Sequence, residues 1–371
     1  MTTANANALT ARWTSTVDTK NTALSGPGVY VLLALLAPFA DGQVRADLLA
    51  VAPEPLELPE SPTTRMATAV WSRTGVPLTD AFVAAVPAAS RGPLTGDPGT
   101  DQPVLDAWAD EQTGGAIPAM PIQVDEDTLM VLASALAVHT TWSSPFRDVP
   151  RCPQAGPWAG RDLNGLHRRD RNIKALRVAD TEGGPITLLT VAGADDVDVV
   201  LALSEPGRPA SEVLPAAIGG LPTASQGDNG PGISVREIEA ADDEPELLVD
   251  TVRFRVEGRH DLLEQAGVFG LAAATDRDEG HFSGVSPVPL AVDRARQDAV
   301  AEFSATGFKA AAVTGLSMVL AGAFRPQYQY KKRLVSVTFD RPFGFLAVHR
   351  ATGLVLVAGW VEEPEPAEPE L

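Results

Sequence analysis

The chain has 371 residues, a formal net charge of −19 at pH 7, and 44% hydrophobic but only 6% aromatic residues. Its length and apolar content predict a globular protein with a large core and exclude an intrinsically disordered chain. The negative charge excludes nucleic acid and anionic membranes as partners, because their phosphates would be repelled. High net charge also suppresses self-association, so we expect a monomer.

Cysteine content and the first residues indicate the compartment. The single cysteine, Cys152, cannot form an internal disulfide, which is compatible with a reducing environment. The N-terminal residues lack an apolar segment of the kind that precedes signal cleavage. We therefore expect a cytoplasmic protein, although secretion by another route is not excluded.

Three segments in the N-terminal half have strong apolar patterns. Residues 29–36 are apolar on every face, which predicts a buried helix ended by Pro38 and Gly42. Residues 106–112 predict a second helix, stopped by the glycine pair at 114–115. Residues 129–138 form a continuous apolar run that fits either a helix or a fully buried strand, and periodicity cannot decide between them.

The C-terminal half has the pattern of strands. Short apolar runs at 186–191 and 197–203 predict two strands, and a third is predicted by the alternation around Phe254. Residues 211–240 are rich in Gly, Pro and Ser and predict a surface connection with little regular structure. Helices first and strands later indicate a mixed α+β class. We expect one domain over residues 1–361, followed by an acidic Pro/Glu tail at 362–371 that is disordered.

The common catalytic and metal-binding signatures are missing from the sequence. It contains no dinucleotide-binding glycine fingerprint, no P-loop, no zinc-protease motif and no nucleophile elbow. A zinc site needs three or four convergent ligands, whereas the five histidines are scattered along the chain. We therefore expect neither an enzyme nor a protein with a cofactor or a metal.

Five segments carry a resemblance to a known family. They are NTALSGPG at 21–28, Trp108 with TGGAI at 113–117, LMVLAS at 129–134 followed by WSSPF at 142–146, FSGVS at 282–286, and FDRPF at 339–343. In this order they resemble the serpin family of serine protease inhibitors, in the form of a prokaryotic-type intracellular member. The resemblance covers nearly the whole chain.

This resemblance implies a fold and a function. The fold is a single α+β domain with three β-sheets, about eight or nine helices and an exposed reactive-centre loop. The implied function is inhibition of a serine protease: the loop is cut, inserts into the main sheet as a new strand, and traps the protease covalently. The alternative is a non-inhibitory serpin that acts as a binding or carrier protein, whose loop is cut without trapping.

The resemblance also assigns a hinge and a reactive bond. The hinge comprises Gly307, Phe308, Lys309, Ala310, Ala311 and Ala312. In the family the scissile bond lies about fourteen residues beyond the hinge glycine, or ~46 Å of extended chain. That count predicts the bond Ala321–Gly322, with Leu320 as the next choice. Small and aliphatic residues there predict an elastase-like or subtilisin-like serine protease as the partner.

The resemblance also assigns two further groups of residues, a breach and a shutter. Trp142 resembles the family's breach tryptophan, although most buried tryptophans are core residues without such a role. Ser25, Ser134 and Gln297 correspond to the shutter beneath the sheet. The sequence departs from the family at the shutter and at Phe308, where a small residue is usual. A bulky ring that must enter the sheet is expected to slow insertion through overpacking, which costs about 1–3 kcal/mol.

Overall fold

The computed structural model describes residues 2–57, 61–154, 156–309 and 330–367. The α-helices are α1 (Thr2–Thr14), α2 (Gly26–Leu36), α3 (Gly42–Val51), α4 (Asp80–Ala85), α5 (Pro98–Thr113) and α6 (Ala210–Gly220). Short 3-10 segments lie at Ala37–Phe39, Ala88–Ser90, Ile173–Ala175, Leu262–Phe269 and Ala273–Thr275. In these described ranges, no helix is long and apolar enough to cross a membrane.

The strands fall into two stretches of the chain. The first comprises β1 (Thr22–Leu24), β2 (Thr64–Arg73), β3 (Arg91–Leu94), β4 (Met130–Thr141), β5 (Arg147–Arg151), β6 (Leu163–Asp170), β7 (Leu176–Ala179), β8 (Ile186–Val191) and β9 (Val197–Leu203). The second comprises β10 (Ile233–Ala240), β11 (Glu246–Val252), β12 (Phe254–Asp261), β13 (Arg296–Phe303), β14 (Gly307–Lys309), β15 (Tyr330–Thr338), β16 (Phe343–His349) and β17 (Leu354–Val361).

Three sheets are built from these strands. Sheet A has the order β12-β13-β14-β4-β2-β3, sheet B the order β1-β17-β16-β9-β8-β7, and sheet C the order β10-β15-β11-β6-β5. The expected mixed α+β fold with three sheets is confirmed, and the helix content of the described residues is close to the expected one.

Sheet B forms the centre of the core. Every residue of β16 and β17 is buried, because α6 and α1 cover one side of the sheet and α2 lies between it and sheet A. Helix α2 is therefore surrounded by apolar surface, which explains its apolar sequence on all faces. Its start is set by Ser25, whose side chain accepts a hydrogen bond from the Gly28 N–H, and by Pro27 in the first turn.

The ambiguous run at 129–138 is the strand β4. Its side chains alternate between two covered faces: one packs towards α2, and the other packs Val131 and Ala133 against Leu105 and Ala109 of α5. A strand buried on both faces needs apolar residues at successive positions, so its sequence lacks the alternation of a half-exposed strand. The helices predicted at 29–36 and 106–112 and the strands at 186–191 and 197–203 are confirmed.

The expectation that residues 211–240 form an irregular connection is wrong. They contain most of α6 and all of β10. Helix α6 forms because Val213, Leu214, Ala217 and Ile218 lie on one helical face and are buried, although Pro215 lies inside the helix. Strand β10 forms because β15 supplies its hydrogen-bond partners. The Gly and Pro content is concentrated between the two elements.

The first part of the C-terminal tail is ordered, in contrast to the expected disorder. The Glu362 carbonyl accepts a hydrogen bond from the Trp158 indole at 2.9 Å, and the Pro366 carbonyl accepts one from the Asn164 side chain at 3.0 Å. Backbone carbonyls can thus hold a charged, proline-rich segment on the surface without a hydrophobic face. Residues 368–371 lie outside the described part of the chain.

Candidate functional site

Strand β14 lies inside sheet A, between β13 and β4. Gly307 is opposite Thr141 of β4 and Phe308 is opposite Thr140, while Phe308 also faces Phe303 of β13. The pairing with β4 is antiparallel and covers only the last three residues of that strand. The predicted hinge therefore already begins a strand of the main sheet.

Beyond the end of β14, sheet A has an opening between β13 and β4. In the described residues, β13 pairs with β12 and β14 but has no register with β4. A cavity of about 100 Å³ lies in this opening, lined by residues 132–137 of β4, residues 296–300 of β13, the first turn of α2, and the end of α5 with the segment that follows it. β13 and β4 would flank an additional strand. The opening between them extends in the direction of β14.

Phe308 is already part of the core. Its side chain is 2% exposed, and its ring centroid lies 6.1 Å from that of Phe345 in sheet B. The expectation that this ring has still to enter the sheet is therefore wrong for the uncut chain; its effect on the rate of insertion stays a prediction. The ring fits because β13 and β4 are already separated around it. Gly307 is required beside it, since a Cβ there would lie 2.4 Å from the Thr140 carbonyl oxygen.

Trp142 joins the end of β4 to the turn between β13 and β14. Its indole N–H donates to the Ser304 carbonyl at 2.9 Å, and its backbone N–H donates to the Thr306 carbonyl at 3.0 Å. The buried ring lies 4.8 Å from the ring of Phe303. The predicted breach residue thus lies where β14 enters the sheet.

The breach is connected to sheet C through a buried cation. The guanidinium of Arg168 lies 4.5 Å from the ring centroid of Phe146 and donates to the Ser144 carbonyl at 3.0 Å. Burial lowers the pKa of Arg168, and the charge of Asp170 partly offsets this effect. Phe146 in turn contacts Trp142, with 6.5 Å between the ring centroids.

The predicted shutter residues lie together beneath the opening. The Ser25 N–H donates to Gln297 Oε1 at 2.7 Å, and Gln297 Nε2 donates to the Ser25 carbonyl at 2.9 Å. Ser134 Oγ donates to the Gly28 carbonyl. The first turn of α2 is thus bonded to β13 through Gln297 and to β4 through Ser134, one contact on each side of the opening.

Gly28 leaves the space that the glutamine needs. A Cβ at this position would lie 3.1 Å from Gln297 Nε2, which is a tight contact. The absence of a side chain at Gly28 therefore makes room for the Gln297 side chain from β13. The structure brings all of the predicted shutter residues into one hydrogen-bonded cluster.

Sequence reasoning missed one member of this region, His260 of β12. One of its ring nitrogens lies 2.9 Å from the Ala23 carbonyl oxygen and 3.3 Å from Thr22 Oγ1. Burial lowers the pKa of His260, and burial raises the pKa of the neighbouring Asp298 carboxyl. The strand alternation that starts at Phe254 continues to His260 and could have indicated a buried position.

The predicted reactive bond and part of the hinge cannot be located. Ala310, Ala311, Ala312, Leu320, Ala321 and Gly322 lie outside the described residues. For Lys309 the structure gives the strand pairing, opposite His139 and Glu302. Across the four described ranges, no group of three or more His, Cys, Asp or Glu side chains is placed to hold a metal ion.

Comparisons with known proteins agree with this architecture. Residues 236–364 match the family described as Serpin (serine protease inhibitor). Human plasminogen activator inhibitor 2 is 24% identical over 287 residues, covering 70% of this chain and 60% of that protein. A putative serpin-Z12 from Oryza sativa subsp. japonica is 27% identical over 379 residues, covering 93% of this chain and 86% of that protein.

A solved structure shows the same fold over nearly the full length. Native protease nexin-1 with heparin superposes with a TM-score of 0.72 at 17% identity, covering 98% of each chain. At this identity the likeness establishes the fold alone.

Proposed function

This chain belongs to the serpin family, and we propose that it inhibits a serine protease by loop cleavage, insertion of the cut loop into sheet A, and covalent trapping. The observation that supports this mechanism best is the position of β14. It occupies the entrance to an opening whose two flanking strands are not paired with each other in the described residues.

The existing register defines how an inserted strand would continue. Each residue after Gly307 moves one residue back along β4 and one residue back along β13. Thr314 would then lie between Ser134 and Gln297, and Met318 would lie opposite Met130, the first residue of β4. Insertion would therefore pass directly over the shutter and fill the whole length of the opening.

The side chains of the segment suit this path. Because strand residues alternate between faces, the residues on the same face as Phe308 would be buried towards the core. These are Ala310, Ala312, Thr314, Leu316 and Met318. They are small near the entrance and larger and apolar further in, and each of them could be buried without leaving a charge unpaired.

The same register supports the predicted reactive bond. A strand that fills β4 to Met130 has twelve residues, or about 40 Å. Ala321 follows Met318 closely, so a cut at Ala321–Gly322 would release enough chain for complete insertion. We propose an elastase-like or subtilisin-like protease as the partner, since their primary pockets accept small or aliphatic side chains. Leu320 is the next choice for the cut. We further propose that the protein acts as a monomer in the cytoplasm.

Incubation with pancreatic elastase and with subtilisin tests this function. We expect a complex that survives SDS and has the mass of the protease plus that of the inhibitor without its C-terminal fragment, which the cut at Ala321–Gly322 releases. We also expect a large rise in the thermal midpoint of the cut protein. An active-site-blocked protease is the control, because it cannot form the acyl bond. Cleavage without a complex and without a thermal shift would support the non-inhibitory binding or carrier alternative.

A further inference from the structure

A second cavity lies on the face of sheet A that α5 covers. Its volume is about 210 Å³, and it is bounded by the start of β2, the last part of β4 and the C-terminal end of α5. A single water molecule needs only ~10–15 Å³ of such space. The cavity is therefore large enough to hold a small organic molecule.

The strand register forms the floor of this cavity. Ala137 and His139 lie on the same face of β4 as Val131 and Ala133, because strand residues two positions apart share a face, and that face packs against α5. Arg65 of β2 is directly opposite Ala137. Its side chain therefore projects from this face as well.

Hydrogen bonds hold the wall and the floor in place. On the wall, Thr113 Oγ1 donates to the Ala109 carbonyl at 2.7 Å and accepts from the Ile117 N–H at 3.0 Å. On the floor, the His139 N–H donates to the Thr63 carbonyl at 2.7 Å. The cavity is thus preformed, which lowers the cost of ordering the site when a ligand binds.

The charge of the cavity is opposite to that of the chain. The sequence has 48 acidic residues against 29 Lys and Arg, yet no Asp or Glu is found among the described residues that line the cavity. Arg65 lines it, is exposed, and has no hydrogen bond or ion pair with another described residue. Its guanidinium is therefore available to an anion, and its planar N–H groups match the two oxygens of a carboxylate.

The remaining lining suits a short carbon chain. Pro62 and Ala137 contribute side chains without polar atoms, and both line the cavity together with Arg65. Gly114, at the end of α5, has nothing within 4 Å of the position that a Cβ would take. A ligand can enter through this open space beside the helix end.

We propose that the cavity binds a small aliphatic carboxylate, whose oxygens pair with Arg65 and whose carbon chain lies against Pro62 and Ala137. The site adjoins the opening between β13 and β4 and shares Thr113 and Ala137 with its lining, but it lies over β2 and β4. Binding there requires no cut in the loop, so this activity goes beyond the proposed function.

The test measures binding of butyrate to the uncut protein by ligand-observed NMR titration at neutral pH and constant ionic strength. Butyramide is the control probe, because it has the same carbon chain without the charge. Arg65→Gln removes the cation from an exposed position, and Ala137→Leu fills the cavity. Arg91→Gln is the matched control variant, since Arg91 is an exposed arginine of the same sheet, in β3, and does not line the cavity.

We expect saturable binding of butyrate to the wild type and to Arg91→Gln, and a dissociation constant at least tenfold higher for Arg65→Gln. Ala137→Leu should weaken binding in the same way, and Arg65→Gln decides alone if that variant does not fold. Butyramide should bind at least tenfold more weakly than butyrate.

Three results would overturn the proposal: no saturable binding of butyrate to the wild type, equal binding of butyrate and butyramide, or unchanged binding in Arg65→Gln. Inorganic phosphate is the third probe, and tighter binding of phosphate than of butyrate would show that the site does not select a carboxylate with a carbon chain. Trapping of a protease is measured separately, so this site can fail while the proposed function stands, and the reverse.

Discussion

Gln297 satisfies both backbone groups of Ser25, accepting from its N–H at 2.7 Å and donating to its carbonyl at 2.9 Å. A residue of the main sheet thereby completes the cap of a helix in the core. Because Ser134 bonds the same turn of α2 from the other side of the opening, the two flanking strands are held by separate contacts to one helix.

Replacing Gln297 with leucine should therefore destabilise the uncut protein by about 1–3 kcal/mol, because it leaves the Ser25 N–H without its partner in a partly buried site and leaves the Ser25 carbonyl with only the Val29 N–H as donor. Urea unfolding at neutral pH measures the change. Gln265→Leu is the matched control, since Gln265 is exposed and should change the free energy of unfolding by less than about 0.5 kcal/mol. Equal effects of the two substitutions would show that the double hydrogen bond contributes nothing to stability.

Phe308→Thr should destabilise the uncut protein without improving inhibition. The ring is already buried, so its removal creates a cavity that costs about 3–5 kcal/mol when it does not collapse. Insertion does not need to bury this ring again, and the number of inhibitor molecules consumed per trapped protease should not fall. Unfolding experiments and titration against one elastase-like protease measure the two effects.

Phe308→Leu is the conservative companion and should cost less than about 1.5 kcal/mol. A clear drop in the inhibitor consumed per trapped protease for Phe308→Thr would mean that the ring does obstruct insertion, contrary to its position in the uncut chain.

His260 should make stability fall in mild acid. Burial depresses its pKa in the folded state, so the unfolded chain binds the proton at higher pH than the folded chain does. This contribution is fully present above the ordinary histidine pKa of about 6.5 and is lost as the pH falls through that value towards the folded pKa. Unfolding by urea at pH 8.0 and at pH 5.5 measures the loss.

In His260→Gln the side chain can still donate to the Ala23 carbonyl but cannot titrate. We expect a smaller difference between the two pH values for this variant than for the wild type. Other groups also titrate in this interval, so the comparison between the two proteins is the relevant quantity. Identical pH dependence in both would assign the loss to groups other than His260.

Limited proteolysis of the native protein should cut first between residues 310 and 329. The described backbone on either side of this segment belongs to strands, β14 before it and β15 after it. With an elastase-like protease, the mass of the C-terminal fragment should correspond to a start at Gly322, or at Ala321 if the cut follows Leu320. A first cut at 221–232, between α6 and β10, would contradict the assignment of the reactive loop.

Several features of this protein could be read from local sequence. Helix α2 was predictable because its apolar content and its capping serine are local properties. The end of α5 was predictable from Gly114, because glycine readily adopts the left-handed conformation that ends a helix and that Gly114 has in the structure. The strands at Ile186–Val191 and Val197–Leu203 were predictable because both are short apolar runs between turn residues. The shutter residues followed from the order of family motifs, which short-range patterns alone could not provide.

Other features depend on contacts between residues far apart in the chain. The run at 129–138 is a strand only because α2 and α5 cover its two faces, and β10 exists only because β15 pairs with it. The position of Phe308 could not be predicted either, since a large side chain at the hinge is unfavourable only if the strands beside it are closed. The sequence by itself determined the helix caps and the apolar runs, because those depend on neighbouring residues, and the family, because that depends on the order of the motifs along the chain. Tertiary structure alone decided which runs pair, which faces are covered and how far the hinge has entered sheet A, because these depend on backbone partners that no local pattern specifies.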